Sequence, residues 1–274
     1  MLTALAAAGS MPASAQGHIA GRFEARYDVT LAGVTIGTGT WIAQIGETQY
    51  TTAASGQVAG ILRAFGSAEG SAAATGTIRD GRPVPASYAG HVISDDGDDE
   101  VRMSLESGAV TGLAATPTLA ADADRVPVTD SDRRGVMDPI SAGLIPVPGN
   151  ADVMSTQACD RTLPVFDGRQ RFDVRLAFKR MDKVKPDKGY QGPAVVCAVR
   201  YEPRAGYRRN RVAVKFLIEA RDIEMWLVPI AGTRLLVPAR ISVPTLIGTA
   251  VLDANRFETA AQPTPVADTA AKDR

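Results

Sequence analysis

From Arg22 onward the chain alternates apolar and polar residues with a period of two, and this restricts the fold more than any other feature. Along Phe23-Glu24-Ala25-Arg26-Tyr27-Asp28-Val29-Thr30-Leu31 every second side chain is apolar. Successive Cβ atoms of a strand point to opposite faces, so this is the pattern of a half-buried β-strand. Gly33 turns the chain, Val34 to Ile45 reads as the return strand, and Gly46-Glu47 turns it again into Gln49–Ala53. Further strands are expected at Ser71–Ile78, Ala86–Ser94, Glu100–Leu105, Thr162–Phe166 and Arg171–Phe178. Others follow at Val195–Tyr201, Arg211–Ile218, Glu224–Val228, Arg234–Val237, Arg240–Val243 and Leu246–Leu252. Asp167-Gly168 marks a hairpin between two of them.

Two places break the period. Val58, Ile61, Leu62 and Phe65 fall at helical spacing and predict one short helix ending near Gly66. A membrane-surface helix and a helix packed on a concave sheet both fit; only Arg63 supplies positive charge there, which favours packing. After an aperiodic connection from about Thr116 to Gly135, Asp138 is placed to cap a second short helix, with Pro139 at its first position and Ile140 and Leu144 as its apolar residues. The fold class is therefore mainly β: a single domain with a long, curved antiparallel sheet, a half-open barrel or β-spiral, around one or two short helices. No linker-like composition divides it, and the domain is expected over residues 22–258, with a polar, Ala/Pro-rich disordered tail over 259–274.

The first 15 residues read as a signal peptide. Leu2-Thr3-Ala4-Leu5-Ala6-Ala7-Ala8 is a short apolar stretch and Ala13-Ser14-Ala15 is a small-x-small cleavage site, leaving Gln16 as the mature N-terminus. No Lys or Arg precedes the apolar stretch, so the basic start of the signal is expected upstream of Met1. Export makes the periplasm the expected address, and no apolar run is long enough for a membrane span. In an oxidising compartment Cys159 and Cys197 are expected to form a disulfide. On the chain-entropy account, closing a loop of roughly forty residues stabilises a fold by about 3–4 kcal/mol.

Basic and acidic residues number 30 each, so no overall field draws the chain to nucleic acid. The two histidines, His18 and His91, are too few for a metal set, and no metal or cofactor is expected. His91 lies mid-strand without a Gly-x-Ser-x-Gly elbow, which argues against a Ser–His–Asp device. Gly37-Thr38-Gly39 resembles the start of a dinucleotide fingerprint but lies within a strand, with no helix to face a pyrophosphate. Asp95-Asp96-Gly97-Asp98-Asp99-Glu100 lacks the alternating ligands of a calcium loop and reads as a solvated hairpin tip. Arg204, Arg208, Arg209 and Arg211 read either as a patch for phosphate or lipid headgroups or as a solvated hairpin. No catalytic residues are assigned.

Four segments together resemble the DUF3108 group of exported bacterial proteins: Tyr27 to Gly37, Asp138-Pro139-Ile140-Ser141-Ala142, Phe166-Asp167-Gly168-Arg169, and Leu235 to Leu252 with Pro238 and Arg240. The resemblance spans about residues 22 to 258, and the order of the segments carries it. It implies a periplasmic address and a curved antiparallel sheet like the half-open barrels of lipoprotein carriers, and it supplies no site residues. Three functions follow as expectations. The leading one is a non-enzymatic envelope protein that binds an apolar or lipid-like ligand or a protein partner and supports envelope integrity. Trp41, Phe65, Phe172, Phe216 and Trp226 are the candidate lining residues. The others are a periplasmic hydrolase of envelope polymers using acids such as Asp138 or Asp173, and a purely structural factor.

Overall fold

The computed structural model of the protein describes residues 20–60, 67–95, 97–119, 122–150 and 152–262. The expected signal peptide, His18, the helical residues Ile61, Leu62 and Phe65, and residues 263–274 of the expected tail lie outside these. The strands are β1 (Gly21–Leu31), β2 (Val34–Ile45), β3 (Gln49–Val58), β4 (Ala68–Arg79), β5 (Arg82–Ser94), β6 (Gly97–Glu106) and β7 (Ala109–Thr116). A four-residue helix α1 (Pro139–Ala142) and the short β8 (Ile145–Pro146) follow. The second half holds β9 (Arg161–Phe166), β10 (Arg171–Val184), β11 (Lys188–Gly189), β12 (Gly192–Ala205), helix α2 (Val212–Glu219), β13 (Ile223–Pro229), β14 (Leu235–Thr245) and β15 (Gly248–Ala261).

All of these strands form one 15-stranded sheet, in the order β7-β6-β5-β4-β3-β2-β1-β15-β14-β13-β12-β10-β9, with β8 on β14 and β11 on β15. Every pairing along that path is antiparallel. The expected mainly-β curved sheet is thus what the chain forms. Sequence neighbours pair throughout the first half because two-residue turns such as Asp80-Gly81 and Ser107-Gly108 reverse the chain at once.

The two ends of the sheet come together without a continuous ladder. Val136 donates its N–H to Gly108 O on the β6–β7 turn, and Met137 bridges to Val165 of β9. Val101, Met103 and Leu105 of β6 pack with Val136 and with Phe166 of β9. The β9–β10 turn lies against β6 so closely that a Cβ on Gly168 would sit 2.2 Å from Val101 Cγ1, and Gly168 also has φ +95°. The sheet therefore curls into a barrel whose seam is closed by side chains and one strap. Its central strands are buried on both faces. Ala194, Val196, Trp226, Val228 and Val237 join one core, and Val195, Cys197, Val199, Leu227 and Leu236 join the other.

Four expectations are corrected. The segment Arg211–Ile218, expected as a strand, is helix α2 over Val212–Glu219. Both edges of β12 are already paired, with β10 and β13, so this segment has no ladder to join and satisfies its backbone internally. Val58, expected on a helix, ends β3 opposite Gly37. Arg234–Val237 and Arg240–Val243 are one strand, β14, in which Pro238 sits at a register shift, where a missing N–H is tolerated. Thr259 to Ala261 continue β15 because Phe23, Arg22 and Gly21 still offer it partners. Strand β7 had no counterpart in the sequence reading: its small residues carry little periodic contrast.

Candidate functional site

Within the barrel lies an apolar cavity of about 320 Å³, bounded by β1–β3, α1, β9–β10 and β13–β15. Its walls include Trp41, Ile140, Phe172, Val174, Met225 and Ile241. Small residues, Gly39 and Ala54 among them, form part of the floor, and the register continues their row past it across neighbouring strands. Gly39 pairs with Gly56 and Gly56 with Gly70, while Ala54 pairs with both Trp41 and Ala72. A row of residues with little or no side chain on one face of a curved sheet leaves volume that the opposite wall does not fill.

The walls are fixed from outside the cavity. Trp41 Nε1 donates to Thr52 Oγ1 at 2.7 Å, and Thr52 Oγ1 donates to Ile42 O at 2.9 Å. The indole also packs edge-on against Phe23, with centroids 5.2 Å apart. Helix α1 is held by its first turn, where Asp138 Oδ1 accepts the Ser141 N–H at 2.9 Å and Ser141 Oγ shares a 2.7 Å hydrogen bond with Tyr50 Oη. The expected cap at Asp138 is therefore present. Gly143 follows α1 because a Cβ there would lie 2.4 Å from Trp41 Cη2. Tyr27 Oη donates to Pro238 O at 2.8 Å, tying β1 to β14 beside the cavity.

A second space of about 440 Å³ shares Ala54 and Ser55 with the first and continues over Gly56, Gly70, Ala72 and Gly90. Its far end is polar, with Tyr88, Asp99, Asp167 and Arg169. Arg169 pairs with Asp99 at 3.1 Å and donates to Pro117 O at 3.0 Å. Burial raises the Asp167 carboxyl above its ordinary range. Burial, reinforced by Asp138 and Asp167, pushes the Tyr88 phenol up to about 12. The interior thus has an apolar end and a polar end.

Of the candidate lining residues, Trp41 and Phe172 meet at this cavity. Phe65 lies outside the described residues. Phe216 is on α2, and its expected position on a strand is overturned with the strand itself. Trp226 is turned away from the cavity. Its ring lies between Arg180 and Arg240, at 5.3 and 5.1 Å, and its Nε1 donates to Asp182 Oδ2 at 2.9 Å. Register shifts on β13 and β14 decide that face, and a period of two carries no sign of them. Sequence reasoning missed Tyr88, Arg169, Met225 and Ile241. Arg169 was visible only as the residue after a turn.

The remaining candidates have structural partners. Asp138 is fully buried, its Oδ2 has no hydrogen-bond partner, and burial raises its pKa. Asp173 pairs with Arg171 at 2.6 Å and with Arg204 at 2.7 Å. In the acidic run, Asp95 caps Ser67, whereas Asp99, expected in a solvated tip, reaches across the seam to Arg169. Of the basic cluster, Arg204 and Arg208 are paired with acids, Arg208 with Asp122 at 2.6 Å. Cys159 and Cys197, both fully buried, form the expected disulfide, with Cα atoms 5.4 Å apart. Among the described residues there is no group of three or more His, Cys, Asp or Glu placed to hold a metal, and no helix long and apolar enough to cross a membrane.

No curated protein matches the chain. The solved structures similar to it include the following two. One is a β-barrel-like DUF1849 protein from Brucella abortus, at 11% identity, covering 88% of this chain and 98% of that one, with a TM-score of 0.45. The other is a DUF1329 family protein from Desulfovibrio piger, at 9% identity, covering 89% and 85%, with a TM-score of 0.20. The profile of DUF3108, a family of proteins of unknown function, matches residues 26–255, and the chain belongs to that family.

Proposed function

We propose that this is a non-catalytic protein of the bacterial cell envelope that holds an apolar or lipid-like ligand inside its half-open barrel. The observation that carries the reading is the cavity of about 320 Å³, walled by Trp41, Phe172, Met225 and Ile241 and left unfilled by α1. Ligand sites are commonly about 300–1,000 Å³, mostly apolar, with a few polar groups at one side. The adjoining space with Arg169, Asp99 and Tyr88 at its end supplies that asymmetry. Export of the mature protein from Gln16 belongs to the same proposal. A disulfide between buried cysteines supports it, since such bonds persist in oxidising compartments.

The competing hydrolase reading would need Asp138 or Asp173 free to act on a substrate. Asp138 caps α1 from a fully buried position and Asp173 is engaged by two arginines, which weighs for the binding reading. The test is native mass spectrometry of protein purified from the envelope fraction, with its first residue determined in the same preparation. The expected result is a chain beginning at Gln16 with an additional non-covalent mass. That mass should be absent from the Ala54→Phe variant, whose ring would occupy the cavity floor. Ligand-free protein in both forms would favour the purely structural factor.

A further inference from the structure

Tight turns favour Gly, Asp and Asn, which accept the left-handed conformation and leave nothing apolar in water. The β4–β5 and β6–β7 tips obey this with Asp80-Gly81 and Ser107-Gly108. The β14–β15 tip does not. Thr245 pairs with Gly248, so its two turn residues are Leu246 and Ile247, 56% and 73% exposed. Their side chains do not hold the turn. That task falls to Thr245, whose Oγ1 donates to Gly248 O at 2.6 Å and accepts the Ile247 N–H at 3.3 Å.

These two residues belong to a wider apolar surface. Ala32 of the β1–β2 tip donates its N–H to Thr249 O, and Val34 beside it is 51% exposed. Helix α2 packs on β14, with Leu217 and Val243 in one cluster, and leaves Val212 and Ile218 at 64% and 40% exposure. None of its residues is fully buried. The surface also leads to the cavity. Ile241 and Leu252 are paired on its wall, and the next pair on that face, Val243 and Ala250, lies between them and the tip.

Charge selects the partner. Arg208, Arg209, Arg211, Lys215 and Arg221 are exposed on and beside α2; the half-buried Arg125 bridges to Arg208 and the half-buried Arg200 donates to Ala220 O at the end of α2. The acids nearby are Asp122, Asp124, Glu219 and Asp222; Asp122 is taken by Arg208, and Asp124 accepts from Asn210. Cations outnumber acids here although the whole chain carries no net charge. We propose that this end of the molecule docks on an anionic lipid bilayer. Leu246, Ile247, Val34 and Val212 enter the interface, and the α2 cations face headgroup phosphates. Exposed apolar residues rimmed by cations match that surface on both counts, and docking sets the apolar route to the cavity against the lipid.

The test is flotation of the mature protein with vesicles of phosphatidylglycerol and phosphatidylethanolamine, against vesicles of phosphatidylcholine alone. It reads vesicle binding, not cavity occupancy, so it can fail while the cavity reading stands, and the reverse. The expected result is flotation with the anionic vesicles only, weakened by added salt. The Leu246→Ser/Ile247→Ser variant should bind at least about tenfold more weakly, since two aliphatic side chains leave the interface. Arg209→Glu/Arg211→Glu should lower binding by a similar factor through charge. Circular dichroism and melting of each variant, matching the parent, would show that the fold is retained. Absence of flotation, or flotation unchanged in the tip variant, overturns the proposal. So does a dimer that the tip variant abolishes, which would assign the surface to a second copy of the chain.

Discussion

Glu224 shows how a single residue couples this fold to pH. Arg180 donates to both its oxygens, at 3.0 and 2.9 Å, and Lys179 contacts one of them. These cations draw its pKa from 4.5 down to about 2. A folded-state pKa below the unfolded one gives stability that is present above the ordinary carboxylate range and is lost as the pH falls toward about 2. Glu224→Gln is expected to cost about 1.5–3 kcal/mol at neutral pH, the range for charge-assisted hydrogen bonds, and to flatten the acid limb of a urea-denaturation profile. Asp138 carries the opposite sign. Burial raises its pKa, so its protonated form favours folding and that contribution is lost as the pH rises through the raised value. Asp138→Asn should therefore flatten the profile on the side above the ordinary carboxylate range. The role of Asp138 was legible in the sequence because a cap and Pro139 are local signals. The partners of Glu224 were not, because Arg180 on β10 and Glu224 on β13 meet only across the intervening strand β12.

At the scale of elements, alternation located the strands that have one solvated face, such as β1, and the central strands, buried on both faces, were legible as short apolar runs instead. It failed at Arg211–Ile218, where Val212, Val214, Phe216 and Ile218 alternate yet form part of α2. Alternation reports a surface with two faces, and the availability of a pairing edge decides whether that surface becomes a strand. The β9–β10 turn tests the seam. Gly168→Ala would place a methyl group at φ +95° and against Val101, and is expected to destabilise the protein by about 1–3 kcal/mol. Hydrogen exchange should locate the change. Amides of Val101 to Leu105 and of Phe166 are expected to exchange faster, while those of β12 to β14 keep their protection. Uniform acceleration across the sheet would argue against a locally closed seam.

At the scale of the molecule, one continuous sheet builds two cores, a smaller cluster at the seam and a cavity, and the disulfide ties the start of the β9 end to the central strand β12. Cys159 closes a 3-10 turn, Thr156–Cys159, and Cys197 lies mid-strand, both within the same core. Replacing both by Ala should cost about 3–4 kcal/mol on the chain-entropy account, with the fold and the cavity intact. Equilibrium denaturation of oxidised, reduced and substituted protein would measure it. Reduced and substituted protein should agree closely, and a substituted protein as stable as the oxidised parent would show that packing alone holds β12 to the turn.

The sequence by itself determined the mainly-β class, most of the strands, the antiparallel hairpins that open the chain, the cap of α1 and the pairing of its two cysteines. Each of these rests on local periodicity, on turn chemistry or on a simple count. Only the tertiary structure decided that Trp41 and Phe172 share a cavity while Trp226 lies between two arginines on another face. It alone set the row of Gly39, Gly56 and Gly70 in register, brought Asp99 to Arg169 across the seam and made α2 a helix. The physical reason is common to all of these. A period of two fixes which residues share a face of one strand, whereas register shifts and sheet curvature, set by partners far along the chain, fix which face is enclosed and what it encloses.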